Sequence, residues 1–200
     1  MEKKKIYKIL FIILSIISII LFIFILKKII SSKDAETKNK ETIEVFSKIE
    51  SAEKEKQDIK LNGYDVIGTV NIPKINIEYP IISIDDPSPE KTKIPLEFAI
   101  VRYWGNNVNE YGNLSIAGHN KYNGTMFGKL KKIEIGDEIY LTDLNKITID
   151  YIVYSKFTTD PNDVSVLETK DENVREVTLI TCSDGNRKRL IIKAKEREDL

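Results

Sequence analysis

Residues 9–26 read ILFIILSIISIILFIFIL, an apolar run with no charge and no proline. A helix rises ~1.5 Å per residue, so this stretch and its flanks are long enough to cross a hydrocarbon core of ~30 Å. No second run of that length follows, so the remainder is expected to lie wholly on one side of a membrane. A cleaved signal peptide would need a shorter apolar region and a small-x-small cleavage site. Ile29-Ile30-Ser31-Ser32 is a poor one, and an uncleaved signal anchor is the expected reading. Lys3, Lys4, Lys5 and Lys8 precede the run; Lys27, Lys28 and Lys33 follow it. That slight excess favours a cytoplasmic N-terminus and an extracellular remainder.

Outside the cell, the chain carries one cysteine, Cys182, and so no internal disulfide. A lone exported thiol is either a small buried hydrophobe or a reactive group. The net charge is zero, with 31 basic and 31 acidic residues interspersed. Such a pattern offers nothing to a nucleic-acid partner.

Three segments are expected. Residues 1–30 form a cytoplasmic tip and transmembrane anchor. Residues 31–60 are polar, charge-rich and free of glycine and proline. There Ile43, Phe46, Ile49 and Ala52 form a thin helical stripe, which fits a helical stalk, and a partly disordered spacer fits nearly as well. Residues 61–200 change texture. Residues 65–72 and 77–84 read as strands, with Pro80 marking an edge or bulge. Residues 85–90 are turn-rich, and residues 96–104 fit helix or strand. Residues 113–117 read as a short strand running into Gly118-His119, and residues 125–130 as one helical turn. Residues 138–142 and 146–154 flank a hairpin loop at Asp143-Leu144-Asn145, with Ile147, Ile149, Tyr151 and Val153 on one apolar face. Residues 177–181 and 190–194 are the last strands. Short, closely spaced strands with little helix predict an all-β domain with short helices. The expected form is a closed barrel of about eight strands behind the N-terminal transmembrane helix.

The only histidine, His119, follows a strand end in LSIAGHN, where loops carry function. A nearby imidazole can take a proton from a thiol and return it to a leaving amine. Thr178, Ile180 and Cys182 share one face of their strand. If Leu190, Ile192 and Ala194 face the core, Arg189 faces outward beside Cys182. A guanidinium there can stabilise the negative charge that acyl transfer builds on a carbonyl oxygen. Arg187, two residues earlier, competes for that role.

TLITC, an arginine opening the next strand and the upstream LSIAGHN resemble the sortase family, the membrane-anchored cysteine transpeptidases of Gram-positive bacteria. The similarity spans roughly residues 63–195 and includes IGTVNIPKINIEYPI and DPNDVSVLE. It implies that Cys182 attacks the Thr carbonyl of an LPxTG-like sorting signal and forms a thioester. His119 would protonate the leaving amine, and Arg189, matched by RLIIKA, would hold the backbone and oxyanion. Thr181, Ala117 and Ile180, beside these residues, are the implied substrate-binding positions. An amine, typically on a peptidoglycan precursor, would then resolve the thioester and anchor a surface protein to the wall.

The ending Arg197-Glu198-Asp199-Leu200 brings no C-terminal membrane helix, and Asp86-Pro87-Ser88 is misplaced for a pilus-type lid. Residues 155–176 are too short for the long inserted helix of another type. A general anchoring type, or the related type of spore-formers, is therefore expected. Residues 96–104 depart from the glycine-containing pattern usual there. Only Glu110 lies near the histidine strand, with Glu168, Asp171 and Glu172 opposite, so no cofactor and no tight calcium site are expected. The alternatives are a pilin-polymerising sortase and a membrane-tethered barrel that binds wall peptides without chemistry.

Overall fold

The computed structural model describes residues 2–48 and 59–198. Ile49 and Ala52 of the expected stripe lie outside them. Helix α1 (Glu2–Lys48) carries the apolar run. Among the described residues it is the one helix long and apolar enough to cross a membrane. The chain divides into two compact units, Met1–Thr37 and Lys38–Leu200. In the first unit the run exposes apolar side chains on every side, as a helix built for lipid does.

The second unit begins with the last turns of α1. Phe46 is buried there with Leu61, Val66, Ile82, Ala99 and Val101. Asn39 Nδ2 donates to the Phe98 carbonyl at 2.6 Å. This end of α1 is thus packed on the β-domain that follows.

That domain contains β1 (Lys60–Leu61), β2 (Tyr64–Ile72), β3 (Ile77–Ile82), α2 (Pro89–Leu96), β4 (Ile100–Gly105), β5 (Gly112–Ala117), β6 (Glu138–Asp143), β7 (Thr148–Thr159), β8 (Arg175–Ser183) and β9 (Lys188–Glu196). The strands run β1-β2-β3-β4-β5-β8-β9-β7-β6, and β6 pairs back onto β2. Strands β2 to β9 therefore close an eight-stranded barrel, as the sequence pattern predicts. Closure leaves no open sheet edge within that ring. Its interior is packed with Val70, Ile72, Ile81, Ile116, Leu141, Tyr151, Leu179 and Ile192, all at most 1% exposed.

Two pairings are parallel, β3 with β4 and β5 with β8. Parallel neighbours need crossovers; α2 lies in the first and β6–β7 in the second. Pro80 pairs with Thr69 beside a bulge between Val66 and Gly68 in β2. Strand β4 joins β3 only at Ile81 and Ile82. The proline, which has no donor for a ladder, thus sits where β3 has a single neighbour.

Residues 96–104 resolve into the end of α2 followed by β4. Proline at the first helical position starts α2, where its missing N–H costs nothing. Residues 125–130 are turns rather than helix, with a 3₁₀ turn at Leu130–Lys132. Long-range bonds displace the helical ladder: Met126 N–H donates to the Tyr79 hydroxyl at 3.0 Å, and Phe127 N–H to the His119 carbonyl at 3.1 Å. On β7, Tyr151 and Val153 enter the core while Ile147, at the hairpin tip, is 55% exposed.

Candidate active site

The three barrel strands β5, β8 and β9 are buried on both faces over much of their length. Their inner residues fill the barrel. Their outer residues form a continuous stripe, because residues two apart share a face. The register places Asn113, Ser115 and Ala117 of β5 beside Glu176, Thr178 and Ile180 of β8. Thr178, Ile180 and Cys182 in turn lie opposite Lys193, Ile191 and Arg189 of β9. The loop of residues 160–174 contributes to burying the polar end of this stripe, where Thr178 is 0% and Lys193 6% exposed. Cys182 and Arg189 remain partly open.

Arg189 is thus the direct cross-strand partner of Cys182. Its Nη1 donates to the Asn186 and Lys188 carbonyls at 3.2 and 3.3 Å. A guanidinium has five N–H donors, so others remain for a substrate. Arg187 lies in the intervening turn, paired with Asp184 at 2.7 Å and 77% exposed at its side chain.

His119 continues the outer stripe of β5 past Ala117. Two bonds fix it to β8 on either side: Gly118 N–H to the Ile180 carbonyl at 3.1 Å, and Asn120 Nδ2 to the Cys182 carbonyl at 2.8 Å. The motif's glycine is needed for close approach. A Cβ on Gly118 would stand 2.5 Å from Ile100 Cδ1 and 2.8 Å from the Phe127 ring. His119 Nε2 lies 3.5 Å from Glu97 Oε1, but that carboxylate is 68% exposed. Screened pairs of this kind contribute little to stability.

These residues meet in a cleft of about 370 Å³, a volume suited to a short peptide segment. Ala117, Ile180 and Ile191 give it an apolar floor, with Cys182, His119 and Arg189 at one end. Thr181 also lines it, but its hydroxyl donates to the Gly118 carbonyl at 2.7 Å and so ties β8 to β5. Leu96 and Thr92 of α2 form one wall. Val164, Val166 and Leu167, from the loop after β7, form the other. Sequence reasoning missed α2 as a wall, although Ser88-Pro89-Glu90 is a helix-start pattern. It also missed Ile191, because an apolar residue on an outward face carries no chemical signal.

The loop wall is braced from within. Asp163 accepts bonds from the Ser165 hydroxyl at 2.5 Å, from Ser165 N–H at 3.1 Å and from the Thr159 hydroxyl. These bonds hold its carboxyl below the ordinary value of 3.8, with the Ser165 hydroxyl the largest cause. A depressed carboxylate contributes stability above its unfolded value and loses it as pH falls through its folded value. The Ser165 amide resonance is therefore expected to be flat from pH 5 to 8 and to move only below about pH 4. A titration centred above that range would remove Asp163 from this role.

A family model for the sortase domain matches residues 70–197, and the chain belongs to the sortase family of transpeptidases. Sortase A of Bacillus anthracis is 28% identical over 215 aligned residues, covering 96% of this chain and 95% of that protein. A Clostridium perfringens sortase D5 transpeptidase superposes with a TM-score of 0.64 at 30% identity, covering 82% of this chain and 98% of that one. Sortase C-1 from Actinomyces oris shares the fold, with a TM-score of 0.58 at 24% identity over 68% of this chain and 76% of that one.

Proposed function

We propose that this sortase is a cysteine transpeptidase acting on an LPxTG-like sorting signal. The Cys182 thiolate attacks the Thr carbonyl, and the resulting oxyanion is stabilised by Arg189. The C–N bond then breaks, and the leaving amine takes a proton from the His119 imidazolium. An incoming amine, on a peptidoglycan precursor or a similar acceptor, attacks the thioester and gives its proton to His119. A new amide forms and the thiolate is regenerated. Only protons and an acyl group move, so the reaction needs no cofactor. Glu110 is a poor calcium ligand, because both its oxygens accept bonds from Asn107 at 3.0 Å.

The observation that carries this reading is the meeting of the sole thiol, the sole imidazole and a cross-strand arginine at one end of an apolar-floored cleft. Ala117 and Ile180 would contact the peptide there, while Thr181 would shape the site. We assign residues 1–30 to a cytoplasmic tip and anchor, 31–60 to a linker and 61–200 to an extracellular catalytic barrel. Substrate and lipid-linked amine would then meet at the outer membrane face. Likeness to a sortase A and a sortase D5 supports general anchoring over pilus polymerisation. The test is incubation of the full chain in detergent with a library of LPxTG-like peptides and amines, read by mass spectrometry. Peptide bound without cleavage or adduct would instead support a non-catalytic binding barrel.

The two arginines separate sharply. Lysine keeps the charge but loses the planar fork of donors. Losing one oxyanion donor costs about 10²–10³ in rate in other acyl-transfer enzymes. Arg189→Lys should therefore lower kcat at least about tenfold, while Arg187→Lys should stay within about threefold. Steady-state transpeptidation, with melting temperatures as control, decides between them. The reverse pattern would move the role to Arg187.

A further inference from the structure

We infer that Asn113 is a positioning residue that sets the loop wall of the cleft in its peptide-ready place. The inference rests on the sortase reading above and deepens it. Asn113 stands on the outer face of β5, away from Cys182, and is 1% exposed. A buried side-chain amide must satisfy its donors and acceptor. Asn113 does so across three elements. Its Oδ1 accepts from the Thr178 hydroxyl of β8 at 2.9 Å. Its Nδ2 donates to the Leu167 carbonyl at 3.1 Å, with Val166 O and Ser115 Oγ at 3.4 and 3.3 Å. Its backbone N–H donates to Thr169 Oγ1 at 3.2 Å.

The residues it grips are the wall itself. Val166 and Leu167 belong to the 3₁₀ turn Ser165–Leu167, and both line the cleft. Their carbonyls point back to Asn113. Without it, this wall would keep the internal brace of Asp163 but lose a direct tie to the sheet. A loop held in its bound conformation spares the peptide the cost of ordering it. Binding should therefore depend on Asn113, while the chemistry at Cys182 should not.

The experiment compares wild type, Asn113→Ala and Thr169→Val as full chains in detergent. Hydrogen exchange is measured without peptide, and KM and kcat with the best sorting peptide. Asn113→Ala should lose protection across residues 161–169 and raise KM at least about tenfold with kcat within about threefold, since only ground-state positioning is removed. Thr169→Val, exposed and on the loop, removes one bond without touching the barrel and should give a smaller loss of the same kind. Unchanged exchange in the loop would overturn the inference, as would a fall in kcat as large as the fall in kcat/KM. If Asn113→Ala does not fold, Thr169→Val decides by the exchange of its loop. Exchange is read on the peptide-free protein, so failure of every peptide to react would count against the sortase reading alone.

Discussion

Cys182→Ala is expected to abolish both cleavage of the sorting peptide and the covalent adduct. The chain holds no other thiol, so no neighbouring residue can form the thioester. Where nucleophile and base act as a unit, removing the nucleophile alone costs nearly as much as removing the whole machinery. Turnover should therefore fall at least about 10³-fold, to the background left by binding and the oxyanion donors. The substitution is also structurally mild. Cys182 is partly exposed near the end of β8, and its backbone pairing with Arg189 does not depend on the sulfur. Peptide affinity should survive, which makes the variant a clean probe of binding. Mass spectrometry of enzyme incubated with peptide reads the adduct, and steady-state assays read turnover. Near-wild-type turnover in this variant would end the cysteine mechanism for this chain.

His119→Ala should be almost as damaging. A positioned acid and base contributes about 10²–10⁴ in rate, and the chain has no second imidazole to stand in. The loss should fall mainly on kcat, because the proton is delivered as the C–N bond breaks. The fold should hold: His119 lies on a loop, and its contact with Glu97 is exposed. Asn120 and Gly118, which fix that loop to β8, use groups the substitution leaves in place. Circular dichroism controls for folding. A loss under about tenfold with the fold intact would make His119 an ordinary loop residue.

Much of this protein was legible in one dimension because its signals are local. The apolar run of residues 9–26 stands out by length, since a bilayer sets the span a helix must cover. The strands of the barrel stand out by period and punctuation. The face argument for Leu190, Ile192 and Ala194 needed only the alternation of side chains along a strand, and all three enter the core. The candidate catalytic residues are rare types in this chain, one thiol and one imidazole, and rarity is visible without a structure. The resemblance of TLITC and LSIAGHN to sortases then named the family that the comparison confirms.

What the sequence did not contain were relations between distant segments. Residues 96–104 stayed undecided because a run of mixed apolar and charged residues, following Pro95, fits either state. The parallel partnership of β3 with β4 and the bond from Asn39 to Phe98 are made only in the folded domain. Residues 125–130 missed their expected helical turn because Tyr79 and His119, distant in the chain, capture their backbone donors. The cleft itself is a product of closure. Its floor comes from β5, β8 and β9, one wall from α2 and the other from the loop after β7, and none of these pieces is concave alone. The sequence by itself determined the membrane-spanning length, the all-β character and the choice of candidate reactive side chains, because each follows from local composition, period or motif. Only the tertiary structure decided which arginine faces the thiol, which residues wall the cleft and why Asn113 is buried, because register and barrel closure are set by packing between segments far apart in the chain.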